Sequence, residues 1–225
     1  MHIEEALWIN KVIKQNHKII SKVLNVGSST NKFRKFSQPH IDKYIFRYFK
    51  EKKIEVLHLD YKKDNGVDIQ CDILNLEEIS KVSTQNFDTV ICSNLLEHVE
   101  DIKLACENLT KILKLNGLMI LTVPYVYPKH NDPIDNLFRP SPKDLSSYFP
   151  KFKKIDEKII DIKPIFFTNS KLNIIKSLIR LFLPFFNLKG YETNFWSIIW
   201  MFKKRKVTCV LLKRNIKLEL RILFL

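Results

Sequence analysis

Residues 87–99 read FDTVICSNLLEHV, a run in which a largely apolar segment is followed at once by polar side chains. Phe87 to Cys92 has the apolar and β-branched composition of a buried strand, and Ser93 and Asn94 are types that favour turns. Near-continuous apolar strands are typical of parallel sheets, because helices cover both faces of such sheets. The stretch therefore predicts an α/β fold with polar residues just beyond a buried strand.

Strands and helices alternate on both sides of this stretch. The further predicted strands are Lys22–Val26, Ile54–Leu59, Val67–Cys71, Leu118–Val123, 151–163 and Val207–Leu212. The predicted helices cover 3–20, 40–52 and 99–115, and a fourth begins at Ser141, with Pro142 in its first position. Because strand–helix–strand connections are right-handed, we expect a doubly wound, mostly parallel Rossmann-like sheet with helices on both faces.

The chain has the length and composition of one globular domain. It has 225 residues, of which 45% are hydrophobic, and a formal net charge of +14. We treat 1–225 as a single domain with a core over 20–150, a helical, aromatic-rich insertion over 164–206 before the last strand, and a tail over 214–225. The charge is either a solvated surface or a sign of an anionic partner.

Cysteine usage and hydropathy predict a cytoplasmic protein without a structural metal. No two of the four cysteines form a C-x-x-C pair, so neither a disulfide framework nor a zinc site is expected. The N-terminus lacks the pattern of a signal peptide. The longest uncharged run, Leu115–Pro128, falls short of the roughly 20 apolar residues that a membrane-spanning helix needs.

Polar residues follow four of the predicted strands, at the edge where ligands bind in open α/β sheets. The candidate binding residues are Asn25, Gly27, Ser28, Asp60, Tyr61, Asp72, Ile73, Asn94 and Leu95. Gly27 lets a ligand approach the backbone closely. A carboxylate such as Asp60 can accept hydrogen bonds from two ribose hydroxyls, and Asp72 can accept one from an exocyclic amino group. The combination describes an adenosine pocket, although each residue alone is also an ordinary turn residue.

The same segments resemble class I S-adenosylmethionine-dependent methyltransferases, of the methyltransferase type 11 kind. The resemblance covers about 20–150 and rests on Val23–Ser29, Leu59–Asp60, Val67–Ile73, Phe87–Val99 and Leu113–Pro124. Its most specific part is the Leu-Glu-His-Val segment with the strand before it. The loop from His130 through Leu145 resembles a subgroup that includes cell-surface sugar enzymes. The resemblance implies S-adenosylmethionine as cofactor.

The glycine-rich turn departs from the family pattern. Asn25 stands where the family usually carries an acid, and Ser29 and Asn31 stand where it carries further glycines. These departures raise the alternative of a catalytically decayed, methyltransferase-like binding module. The +14 charge raises another, an RNA methyltransferase, although no nucleic-acid-binding motif is recognisable. A nicotinamide site fits less well, since only the first glycine of G-x-G-x-x-G is present.

Three residues are candidates for catalysis of methyl transfer. A base assists when the acceptor is a hydroxyl, and histidine titrates near neutrality, so His98 and His130 are the candidate bases. Asp132 could orient His130. Arg139 is expected to pin the loop by a salt bridge rather than to contact substrate. His98 could equally have a structural role at a helix start.

The aromatic and basic insertion, 164–206, is predicted to form part of the acceptor site. It combines Trp196 and Trp200 with the basic run Lys203–Lys206. It is expected to form a lid over the cleft, with an anionic membrane surface or an oligomer contact as alternatives. The predicted function is methyl transfer to a small-molecule, glycan-linked or lipid-linked acceptor. The predicted location is the cytoplasm, with the inner membrane surface as an alternative.

Overall fold

The computed structural model describes residues 1–130, 134–162 and 205–215. Seven strands form one sheet in the order β3-β2-β1-β4-β5-β7-β6. The strands are β1 Lys22–Val26, β2 Glu55–Asp60, β3 Ile69–Gln70, β4 Phe87–Ser93, β5 Leu113–Val126, β6 Phe152–Ile162 and β7 Arg205–Arg214. The pairs β1–β2, β1–β4, β2–β3 and β4–β5 are all parallel. The predicted Rossmann-like sheet is confirmed.

Most of the described helices fall into two packed groups. They are α1 Ile3–Gln15, α2 Pro39–Ile41, α3 Arg47–Glu51, α4 Leu76–Ser83, α5 Ile102–Ile112 and α6 Pro142–Ser147. α4 packs with α5, while α1 packs with α2 and with a π-helical segment, Asp42–Phe46, that leads into α3. Ser141 caps α6 through a reciprocal bond pair with Asp144, as its sequence predicts.

The predicted boundary between the fifth helix and its strand is wrong. The helix ends at Ile112 rather than at 115, and β5 begins at Leu113 rather than at Leu118. Its pairing with β4 shifts register between Phe87 and Thr89, and Asn116 has φ +63° inside the resulting bulge. Asn and Gly often end a helix, but the Asn116–Gly117 pair instead turns the backbone within the strand.

The central strands are buried on both faces, as a parallel sheet requires. Leu24, Val90, Met119 and Leu121 have no exposed surface and belong to one continuous apolar core. Residues 1–160 and the strand residues after 206 form one compact unit. The aromatic insertion lies outside the described residues except at its end, so its role as a lid or interfacial element stays a prediction.

Within the described ranges, no helix is long and apolar enough to cross a bilayer.

Candidate active site

A cleft of about 860 Å³ opens at the carboxyl ends of β1 and β4. The strand order reverses direction between these two strands, and ligands of open α/β sheets bind at such switch points. The cleft is lined by all nine residues predicted to bind the cofactor: Asn25, Gly27, Ser28, Asp60, Tyr61, Asp72, Ile73, Asn94 and Leu95. His98 and His130 line it as well, whereas Asp132 lies outside the described residues.

The turn after β1 brings backbone into the cleft. Gly27 has φ +68°, and a Cβ there would lie 3.1 Å from Leu95 Cδ1. Ser29 also has a positive φ, +54°, so it adopts a conformation usually taken by glycine. The Ser29 backbone N–H donates to Asp60 Oδ2 at 2.7 Å, and the Lys62 N–H donates to Asp60 Oδ1 at 3.1 Å. Since a carboxylate has about four acceptor positions, Asp60 keeps capacity for a ligand's hydroxyls.

The buried guanidinium of Arg34 donates hydrogen bonds to the backbone of this turn. Arg34 is 5% exposed and donates to the carbonyl oxygens of Ser28 at 2.9 Å and Gly66 at 2.7 Å, and also to that of Ser29. Burial lowers the pKa of Arg34, while the nearby carboxylates, above all Asp68, act against the shift. No local sequence signal distinguishes Arg34 from the neighbouring lysines, so sequence reasoning missed it.

Asn25 takes up a role that its residue type alone does not indicate. It is buried, and its amide Nδ2 lies 3.1 Å from His58 Nδ1 on β2. Burial lowers the pKa of His58 to about 4, and the Arg34 charge adds to the fall. His58 is therefore neutral at pH 7, and its Nδ1 can accept the bond from Asn25. Asn25 thus has a side-chain partner within the protein while still lining the cleft.

The neutral state of His58 predicts an acid-sensitive fold. A histidine with a folded-state pKa of about 4 binds its proton more readily when unfolded, where the pKa is about 6.5. Stability is therefore complete above pH 6.5 and falls as the pH drops from 6.5 to 4, by about 3 kcal/mol from this group. Urea unfolding of wild type and His58→Gln across this range measures the effect. The contribution is absent if both proteins show the same pH dependence.

The loops after β3 and β4 present their polar groups differently. Asp72 Oδ1 accepts from the Leu74 N–H at 2.9 Å, which shapes the turn, and Ile73 is buried beside it. Tyr61 is 69% exposed at the rim. Asn94 has φ +51°, and its side chain donates to Glu5 Oε1 at 2.7 Å, which ties α1 to the end of β4.

Three side chains from two loops meet on the other side of the cleft. Glu97 and His98 belong to a 3-10 helix, Leu96–His98, and His130 follows β5. The two imidazole centroids are 5.1 Å apart, and ligand atoms of all three side chains lie within 4.8 Å of one another. Glu97 is fully buried, and burial raises its pKa to about 8, with the Glu5 carboxylate adding to the rise.

Asp135 is the residue that orients His130 in the structure. Its Oδ2 accepts from the His130 backbone N–H at 2.9 Å and lies 3.2 Å from His130 Nδ1. Burial by itself would raise the pKa of Asp135, but bonds from Arg139 and from the N–H groups of His130 and Leu137 hold it well below its usual range. Arg139 binds Asp135 at 2.7 Å, so it pins the loop as expected.

The cysteines do not supply a nucleophile to this site. All four are free and buried, and burial raises the thiol pKa to about 12 in Cys71 and Cys106 and well above its usual range in Cys92 and Cys209. A thiol is nucleophilic only as its thiolate, so these groups are inert near neutral pH. The groups of the cleft that can exchange protons near neutral pH are therefore its histidines and carboxyl groups.

The sheet order, the Gly27 turn and the acids after β2 and β3 are the features expected of a nucleoside-binding α/β domain. Residues 24–121 match a family model described as a methyltransferase domain. Over these residues the predicted resemblance to class I S-adenosylmethionine-dependent methyltransferases is confirmed.

Curated relatives match over a short region. A ubiquinone biosynthesis O-methyltransferase from Rickettsia conorii is 39% identical over 62 residues, which are 28% of this chain and 21% of the relative. Its counterpart from Rickettsia canadensis is 37% identical over 62 residues, 28% of this chain and 25% of the relative. The matched region thus spans about a fifth to a quarter of those proteins.

Solved structures share the fold at low sequence identity. Coclaurine N-methyltransferase, bound to N-methylheliamine and S-adenosylhomocysteine, aligns with a TM-score of 0.55 at 14% identity, covering 92% of this chain and 72% of its own. A cyclase, SpnF, aligns with a TM-score of 0.53 at 12% identity, covering 92% and 80%. Since a cyclase shares the fold, the fold alone does not determine the reaction.

Proposed function

We propose that this protein transfers a methyl group from S-adenosylmethionine to an oxygen of a small-molecule acceptor. The acceptor hydroxyl gives its proton to a base, and its oxygen attacks the methyl carbon. The O–CH₃ bond forms as the S–CH₃ bond breaks, and the electron pair of that bond stays on sulfur, leaving S-adenosylhomocysteine. Because the sulfonium methyl is already activated, the protein has mainly to align the two partners and exclude water.

The observation that carries this proposal is the division of one cleft into two chemically distinct sides. One side holds the Gly27 turn, Asp60 and Asp72, which suit the nucleoside of the cofactor. The other holds His98 and His130, whose rings are in edge contact. A methyl donor bound on the first side would present its sulfonium toward the second, where a proton acceptor is available.

His130 is the better placed of the two candidate bases. Its side chain is about one-third exposed in the cleft, and the Asp135 carboxylate lies 3.2 Å from Nδ1. A carboxylate on Nδ1 holds the imidazole with Nε2 free to accept a proton and stabilises the imidazolium that forms. His98 has its Nδ1 against the Ile134 carbonyl oxygen, so it too is held in one orientation.

The similarity to ubiquinone biosynthesis O-methyltransferases supports a small-molecule acceptor. A glycan-linked or lipid-linked acceptor is a narrower form of the proposal. It rests on the resemblance of the His130–Leu145 loop to a subgroup with cell-surface sugar enzymes and on the aromatic insertion over 164–206.

Calorimetry with S-adenosylhomocysteine tests the proposal before any acceptor is known. Wild type is expected to bind, and Asp60→Ala should lose the charged hydrogen bonds to the ribose, about 1.5–3 kcal/mol or roughly 10- to 150-fold in affinity. Glu107→Ala, which removes an exposed carboxylate on α5 outside the cleft, is the matched control.

The same titration separates the proposal from its alternatives. A wild-type chain that binds neither S-adenosylmethionine nor S-adenosylhomocysteine contradicts the assigned function. Equal affinity in Asp60→Ala and wild type would show that the ribose lies elsewhere. Binding without turnover on any hydroxyl acceptor would favour the decayed binding module.

A further inference from the structure

The Glu97, His98 and His130 side chains form a compact cluster of donor groups at the acceptor side of the cleft. Their ligand atoms lie within 4.8 Å of one another, and His98 Nε2 is 3.8 Å from Glu97 Oε1. Two ligands of a tetrahedral Zn²⁺ ion at about 2.0–2.2 Å from the metal lie about 3.3–3.6 Å apart. Side-chain adjustments of about 1 Å would therefore bring all three to one ion.

Both imidazoles are held so that their Nε2 lone pairs are available. A carbonyl oxygen can only accept, so the contact of His98 Nδ1 with the Ile134 oxygen places a proton on Nδ1. His130 Nδ1 likewise faces only acceptors, Asp135 Oδ2 at 3.2 Å and the Pro128 oxygen at 3.3 Å. Carboxylate and carbonyl partners on the far nitrogen are what metal-ligating histidines have in proteins.

The buried Glu97 side chain is a second, independent observation that favours a bound cation. Its side chain is fully buried and lines the cleft, yet neither Oε1 nor Oε2 has a hydrogen-bond partner within the described residues. Burying a carboxyl group without a hydrogen-bond partner is costly whether or not it is ionised, and a cation bound to its oxygens would supply the missing partner. The fold places these two oxygens close to two imidazole nitrogens.

We propose that Glu97, His98 and His130 bind a divalent transition-metal ion, Zn²⁺ or a metal of similar preference, with an open position for an acceptor oxygen. Two imidazoles and one carboxylate suit zinc and its neighbours better than Mg²⁺, which prefers oxygen alone. Three protein ligands with one open position are typical of catalytic rather than structural zinc. This site was not expected from the sequence, which predicted no metal.

The metal would define the acceptor class, a statement that rests on the proposed methyl transfer. A hydroxyl bound to the ion becomes more acidic and loses its proton to solvent, which leaves an oxygen nucleophile held in the cleft. His130 Nε2 cannot act as ligand and as base at once, because both roles use the same lone pair. Chelation therefore distinguishes the two roles: a ligand role makes turnover sensitive to a chelator, and a base role does not.

Metal binding itself is tested on the full chain, without an acceptor. Chelator-stripped protein is titrated with ZnCl₂ by calorimetry and with CoCl₂ by visible absorption, and about one equivalent is expected to bind. Removing a ligand in Glu97→Gln or His130→Asn should weaken affinity by more than the 10–100-fold that loss of an outer partner costs, and Asp135→Asn should fall about within that range. His17→Ala removes an exposed histidine in the 3-10 turn that follows α1 and is the control.

The outcomes separate the metal site from the proposed function. Circular dichroism confirms the fold of each variant, and His130→Asn, at a partly exposed position, keeps the test valid if Glu97→Gln does not fold. Zinc binding that is absent in wild type, or unchanged in a folded His130→Asn, overturns the metal site. S-adenosylhomocysteine titrated into the same preparations reports independently on the cofactor side, so the failure of one does not imply the failure of the other.

Discussion

Replacing His130 with alanine is expected to lower turnover about 10²- to 10⁴-fold while leaving S-adenosylhomocysteine affinity unchanged. His130 lines the acceptor side of the cleft, and its ring contacts His98 and Tyr127 rather than the Gly27 turn. The substitution removes either the base or a metal ligand, and both act on the acceptor oxygen. Single-turnover methylation and calorimetry on the same protein measure the two quantities.

A matched histidine substitution shows whether the loss is specific. His17→Ala changes an exposed residue that bonds the Lys14 carbonyl oxygen, so it should leave both quantities at the wild-type level. Turnover of His130→Ala that equals wild type at every pH would remove His130 from the reaction. A parallel loss of cofactor affinity would instead indicate that the loop, rather than the acceptor, had been disturbed.

The parts of the fold that the sequence predicted are those determined by local pattern. Apolar β-branched runs such as Phe87–Cys92 form strands wherever they are covered on both faces, and turn residues directly after them reach the same edge of a parallel sheet. Asp60 and Asp72 therefore reach one cleft without any knowledge of side-chain contacts. The end of α5 was misplaced because a bulge at Asn116 has the same residues as a helix stop.

The parts that escaped prediction depend on contacts between residues distant in the chain. Glu5 on α1 accepts from Asn94 and Thr122, 89 and 117 residues away. Asp135 contacts both His130 and Arg139, a pairing that no local sequence pattern indicates. Asn25 stands where the family usually carries an acid. The sequence does not show that its amide pairs with neutral His58, as it does in the structure.

Arg34 connects the stability of the fold with the shape of the cofactor side of the cleft. One guanidinium binds three carbonyl oxygens, from Ser28, Ser29 and Gly66, and so joins the turn after β1 to the loop before β3. Only a planar fork with several N–H donors can do this, so lysine is not an equivalent replacement. Both loops line or support the cleft in which the cofactor is expected.

Arg34→Met is expected to lower the free energy of unfolding by about 3–5 kcal/mol, since it leaves several buried acceptors without donors. The same change should abolish measurable S-adenosylhomocysteine binding in the fraction that still folds, because Ser28 and Ser29 lose the contact that fixes their backbone.

Lys35→Met, at the exposed neighbouring position, removes a charge without touching these carbonyls and should match wild type in both respects. Arg34→Lys should lie between the two, as it keeps the charge but cannot reach all three oxygens. Urea unfolding followed by calorimetry on the folded variants measures both effects. Wild-type stability in Arg34→Met would show that water can take over the guanidinium's bonds, and wild-type affinity would show that the turn holds its shape without them.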